Sequence, residues 1–131
     1  MDNPYAEEAR ERWGQTPAYR QSEQRTAGYT ERDWTEIKAE SAALNERLAA
    51  ALRDGVAADS PTAMDLAEEH RQQIHRRFYD CGYDMHRGLA DMYVADDRFT
   101  ATYDAVRPGL ARYLRDAIHA NADRAETTST S

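Results

Sequence analysis

The sequence predicts an all-α domain, and three observations carry that prediction. Apolar residues recur every three or four positions through most of the chain. No stretch shows the two-residue alternation of a half-buried strand. Ala, Glu, Arg and Leu dominate while Val and Ile are scarce, which favours helices over sheets. The chain has 131 residues, the size of one domain, and can bury a core without disulfides or metals. Roughly five to seven helices account for the pattern.

The first segment, residues 1–29, predicts a weakly ordered helical arm. Pro4, Glu7 and Glu8 can open a short helix that ends near Gly14, and a second helix can run from Thr16 or Pro17 to about Thr26. Both are polar, with Tyr5, Trp13 and Tyr19 as their large apolar anchors. Helices this short are marginal in water, so the arm is expected to order only when something packs on it.

Residues 30–123 predict the core. Thr30 to Asp33 reads as an N-cap followed three positions later by an acid, and Trp34, Ile37, Leu44, Leu48 and Leu52 then follow helical spacing. Gly55 stops that helix, because a left-handed residue is wanted just past a helix end. Ser60 and Pro61 start the next helix as N-cap and first helical residue. Ala67, Arg71, Ile74, Phe78, Cys81, Met85, Leu89 and Met92 continue one stripe. Unbroken, that helix would be long for a globular domain, and Gly82 is the natural place for a kink or break. Phe99, Tyr103 and Val106 mark a further helix. Pro108 lacks the amide hydrogen that a helix interior needs, so it is expected to open the last helix, whose buried face is Leu110, Tyr113, Leu114, Ala117 and Ile118. Residues 124–131 predict a disordered tail.

Charge and cysteine content exclude several classes of function. A net charge of −7 repels phosphate backbones, so direct nucleic-acid binding by this chain is not expected. A single cysteine cannot form an internal disulfide. The first residues are polar and charged, without the pattern of a signal peptide, and no apolar run is long enough to span a bilayer. A soluble cytoplasmic protein with no membrane partner is the default.

Chemistry concentrates in "FYDCGYDMHRGL", Phe78 to Leu89. Cys81 has two readings. His86 and Arg77 lie near enough in sequence to activate a thiol, whereas its place on the stripe with Phe78 and Met85 makes it a small buried hydrophobe. The second reading is favoured. Among the histidines, His70 and His75 are splayed by about 140° around a helix, unsuited to a shared metal, so no metal and no cofactor is expected. On a continuous helix Tyr79, Tyr83 and His86 share one face, turned by about 100° from the core stripe. Ring surface with hydrogen-bonding groups suits a pocket, and the same spacing equally suits hydroxyls that simply reach water. Gly88 costs about 1 kcal/mol inside a helix, so a close backbone or a ligand is one reason for it, with chance as the other. No phosphate-cradling loop and no Ser/His/Asp signature is present, and an enzyme is not expected.

Several blocks carry a resemblance. "ERWG" at Glu11 to Gly14, "TPAYRQS" at Thr16 to Ser22 and "RTAGYTERDW" at Arg25 to Trp34 come first. "ADSPTAMDLAEEHRQQI" at Ala58 to Ile74, "FYDCGYDMHRGLADMYVADDRF" at Phe78 to Phe99 and "RPGLARYLRDAIHANA" at Arg107 to Ala122 follow in order. Together they resemble the TipAS antibiotic-recognition domain, the effector half of thiostrepton-responsive MerR-family activators, over nearly the whole chain. The resemblance implies a globin-like helical bundle without haem. It implies a thiopeptide or related macrocyclic peptide antibiotic as the partner, with an N-terminal segment that closes over it. Tyr79, Asp80, Tyr83, His86 and Gly88 are then expected to line the cleft, and Trp13, Tyr19 and Trp34 to form the lid or its seat.

One departure bears on mechanism. In the resembling activators the thiol that adds to a dehydroalanine sits seven residues after the cysteine of the "YDC" block, which falls here on Gly88. On one continuous helix Cys81 and Gly88 point similarly but lie about 10 Å apart along the axis, too far for easy substitution. Binding is therefore expected to be non-covalent. The sequence also shows no winged-helix reader and no coiled-coil helix. Two settings follow: a free-standing antibiotic-sequestering protein, or the sensing domain of a MerR-type regulator whose DNA-binding domain lies outside this chain. The competing reading is a helical protein–protein interaction module without a small ligand.

Overall fold

The structure, a computed structural model, describes residues 17–130, with side chains described from 20 to 127. The expected helix between Pro4 and Gly14 lies outside the described residues. The described part is all-α: α1 (Pro17–Thr26), α2 (Glu31–Arg53), α3 (Pro61–Arg77), α4 (Tyr83–Ala95), α5 (Asp97–Val106) and α6 (Leu110–Thr130).

Local signals set most boundaries. The Thr30 hydroxyl accepts the Asp33 amide at 3.2 Å and Asp33 accepts the Thr30 amide at 2.9 Å, a closed capping box at the start of α2. Such a cap stabilises by about 1 kcal/mol. Past the end of α2, Gly55 takes φ 74°, the left-handed conformation a side chain resists. Ser60 accepts the Ala63 amide at 3.2 Å and Pro61 opens α3. Asp96 caps α5 by accepting the Arg98 amide at 3.0 Å.

Two boundaries differ from expectation. Pro108 does not open the last helix. Pro108 and Gly109 form a tight turn in which the Leu110 amide donates to the Arg107 carbonyl at 3.0 Å, and Gly109 takes φ 88°. Pro followed by a positive-φ glycine is a type II turn, so helix begins only at Leu110. At the other end α6 continues to Thr130, through the stretch expected to be a disordered tail. Ion pairs support the extension: Arg87 of α4 reaches Asp123 at 2.7 Å and Glu126 at 2.8 Å, and Arg124 reaches Asp65 of α3 at 3.0 Å.

Helix α6 is the axis of the bundle. It packs most extensively on α4, then on α3, and also touches α2 and α5. Leu110, Leu114, Ala117 and Ile118 are fully buried along it, and Leu48 and Tyr103 meet them from α2 and α5. A buried leucine or isoleucine contributes about 1.5–3 kcal/mol, so this face dominates the cohesion of the bundle. Helix α1 has α3 as its main partner and reaches the last turn of that helix.

Candidate functional site

The stripe from Ala67 to Met92 is interrupted, and the interruption builds the site. Helix α3 stops at Arg77, residues 78–82 turn, and α4 begins at Tyr83 with Gly82 as N-cap. Two side chains of α3 hold the turn. Arg71 Nη1 donates to the Cys81 carbonyl at 2.7 Å, and His75 Nδ1 accepts the Cys81 amide at 3.0 Å. Both backbone groups of Cys81 are satisfied without helix, which makes the break affordable in the interior.

The break corrects the expected face. Tyr79 lies in the turn and Tyr83 on the first turn of α4, so Tyr79, Tyr83 and His86 do not share one helix face. Tyr79 is buried, and burial pushes its hydroxyl pKa well above the ordinary range. Tyr83 is half-buried, with the Arg71 guanidinium 4.3 Å from its ring centroid. Asp80 is exposed; its amide donates to Gln21 at 2.6 Å and its carboxylate pairs with Arg25 at 3.3 Å.

Cys81 is fully buried, and burial pushes its thiol pKa up to about 12. Cys81 is thus a buried, protonated thiol of the turn rather than of a helix face. Cys81 and Gly88 therefore do not lie on one helix, and the spacing along a common axis does not apply. Gly88 is exposed on α4, and a side chain added there meets nothing within 4 Å among the described residues, so no backbone approach explains it.

His86 is not presented to a cleft. It is fully buried, and its Nε2 lies 2.9 Å from His70 Nδ1, one ring donating to the other. His70 Nε2 lies 3.2 Å from the Tyr103 hydroxyl, and the two imidazoles stack with centroids 5.1 Å apart. His86 Nδ1 is buried without a partner among the described residues. Burial lowers the pKa of both rings, and His70 further disfavours charge on His86. His70 and His75 diverge as their spacing requires: one is buried and the other exposed.

Behind Tyr83 stands a polar seam that sequence reasoning did not identify. Glu68 accepts from Arg71 at 3.1 and 2.6 Å, from Gln72 at 2.8 Å and from Asn121 of α6 at 3.0 Å. Burial pushes the Glu68 carboxyl up, but these hydrogen bonds and the Arg71 charge outweigh it and leave its pKa at about 2. Glu68 and Arg71 stand at i, i+3, so half the seam had a sequence signal. Asn121 had none.

The arm meets the same end of α3. Arg25 donates to the His75 carbonyl at 2.5 Å, and the Tyr29 hydroxyl donates to the Arg77 carbonyl at 2.5 Å. These carbonyls belong to the last turn of α3, where a helix leaves acceptors unpaired. Trp34 packs edge-on to Tyr29 at 5.5 Å and tilted to Phe78 at 6.1 Å, beneath this junction. Trp13 and the side chain of Tyr19 lie outside the described residues. Among the described residues no group of His, Cys, Asp or Glu is arranged to hold a metal.

An all-α bundle whose helix break gathers a half-buried tyrosine, a fixed arginine and a docked arm defines a recognition domain. The TipAS antibiotic-recognition domain family matches residues 5–121, and the chain belongs to that family. It is 58% identical over 120 residues to the HTH-type transcriptional activator TipA of Streptomyces coelicolor, covering 92% of this chain and 47% of TipA. It is 37% identical over 123 residues to the HTH-type transcriptional activator mta of Bacillus subtilis, covering 93% of this chain and 46% of mta. The chain thus spans about half the length of these relatives. The structure of TipAS from Streptomyces lividans in complex with nosiheptide matches with a TM-score of 0.86 and 56% identity, over 95% of this chain and 88% of that one. The antibiotic-binding domain of a TipA-class multidrug resistance transcriptional regulator matches with a TM-score of 0.65 and 54% identity, over 70% of this chain and 98% of that one. These relatives are transcriptional activators and the antibiotic-binding domain of a transcriptional regulator. No described helix is long and apolar enough to cross a membrane.

Proposed function

We propose that the chain binds thiopeptide antibiotics reversibly at the face around the break between α3 and α4. The observation that carries this reading is the likeness to nosiheptide-bound TipAS, at 56% identity over 95% of the chain. Tyr83, Asp80 and Gly88 are the accessible members of the expected contact set. Tyr79 and His86 support the face from behind, and Trp34 seats the arm that borders it. Burial of macrocycle surface supplies most of the affinity, and polar groups set orientation. Two settings fit this reading: the sensing domain of a MerR-type regulator, as in relatives of which the chain spans about half, or a free-standing antibiotic-sequestering protein.

Reversibility follows from where the thiol is. Cys81 is buried and protonated, and Gly88 offers no nucleophile. A calorimetric titration with thiostrepton, followed by denaturing mass spectrometry, tests both parts. The expected result is saturable binding with an unmodified protein mass. In Gly88→Cys the exposed thiolate adds to the β-carbon of a dehydroalanine, the alkene pair takes a proton at the α-carbon, and the mass rises by one whole antibiotic. An adduct on the unsubstituted chain would make Cys81 the nucleophile and contradict the account. Absence of any heat would favour the interaction-module reading.

A further inference from the structure

The Arg71–Tyr83 pair is placed as a ligand subsite would be. One face of the Tyr83 ring is taken by the Arg71 guanidinium, 4.3 Å from the centroid. Arg71 cannot move away: three of its nitrogens are bonded, two to Glu68 at 3.1 and 2.6 Å and one to the Cys81 carbonyl at 2.7 Å. Glu68 is itself tied to α6 through Asn121 at 3.0 Å. The Arg71 side chain is only 11% exposed, whereas Tyr83 is half-buried and forms no hydrogen bond through its hydroxyl among the described residues. An ordinary tyrosine on a first helical turn samples several rotamers and loses that freedom on binding. This one is braced in advance.

Resting on the reading that the chain binds thiopeptides, we propose that Tyr83 is a stacking platform for one uncharged planar heteroaromatic ring of the antibiotic, with Arg71 as the positioning residue behind it. A guanidinium against one face of a phenol ring draws π density toward itself. The outer face then suits a neutral, polarisable azole in offset stacking.

The test uses the full chain and nosiheptide. Tyr83→Leu is expected to weaken calorimetric affinity roughly 3- to 10-fold, the range for a lost aromatic contact, and Tyr83→Phe to recover most of that loss because the ring remains. A second reading comes from proton NMR of the wild-type complex. One azole proton of nosiheptide is expected to shift upfield by ring current and to show contacts to the Tyr83 ring protons, and the shift is expected to vanish in Tyr83→Leu. Arg71→Lys keeps the charge but loses the planar fork, and is expected to reduce the upfield shift while binding persists. Tight wild-type binding with no Tyr83-to-azole contacts would overturn the platform and leave the binding reading intact. Failure of the wild-type chain to bind nosiheptide would overturn both. Should Tyr83→Leu fail to fold, the wild-type contacts alone decide.

Discussion

His70 and His86 show how one pair of residues ties pH to folding. Their rings are buried, bonded at 2.9 Å and neutral, with burial as the main cause of their lowered pKa values. Arg71 and His119 further disfavour charge on His86, and Glu68 opposes them too weakly to restore it. Unfolding releases both rings to an ordinary value near 6.5, so below that pH the unfolded chain binds more protons than the folded one. Stability is therefore fully present above about pH 6.5 and falls as pH drops toward the lowered folded values. At pH 5 the expected loss is on the order of 2 kcal/mol per histidine that must take up a proton. Glu68 does not contribute in that window, because its carboxyl titrates below its ordinary 4.5. Urea melts at pH 7 and pH 5 check this: a lower midpoint at pH 5 is expected, and a flatter dependence in His86→Gln. Equal midpoints would show that the pair titrates normally. No reading of the sequence could pair these rings, since they stand sixteen residues apart on two helices and meet only because α3 and α4 both pack on α6.

At the scale of elements, what was legible in the sequence was what local chemistry decides. The Thr30–Asp33 box, the Ser60–Pro61 start and the left-handed Gly55 need only neighbouring residues, and each formed where expected. Gly82 was legible as a break, but the turn itself was not. It depends on Arg71 and His75 holding the backbone of Cys81, and period arguments on Tyr79, Tyr83 and His86 presume a helix that those bonds interrupt. The length of α6 was illegible for a similar reason, since Arg87 reaches it from another helix. Among the described residues the arm is held largely by polar contacts. Gln21, Arg25 and Tyr29 hold it through hydrogen bonds to the turn and to the last carbonyls of α3. Arg25→Ala is expected to speed amide hydrogen exchange in α1 by about 3- to 10-fold, the effect of one lost bond, while leaving α6 between Leu110 and Ala122 unchanged. Equal acceleration in both helices would mean that the arm is part of the cooperative core.

At the scale of the molecule, a rigid axis and a sparsely attached arm divide the labour. Helix α6 gathers α2 to α5 around a buried apolar face, which fixes the turn between α3 and α4 from behind through Asn121 and Glu68. The turn in turn receives the arm from the front. Fold class and family were readable from composition, periodicity and ordered blocks. The candidate face was readable only as a segment, because its geometry comes from side chains of three helices meeting at one break. The measurement that tests the central claim most directly is a titration of the isotope-labelled chain with nosiheptide, followed by amide NMR. The account predicts that shifts concentrate in residues 78–84 and in the arm residues 21–29, with α5 little affected. Shifts confined to α5 and the turn at Pro108, or none at all, would contradict it.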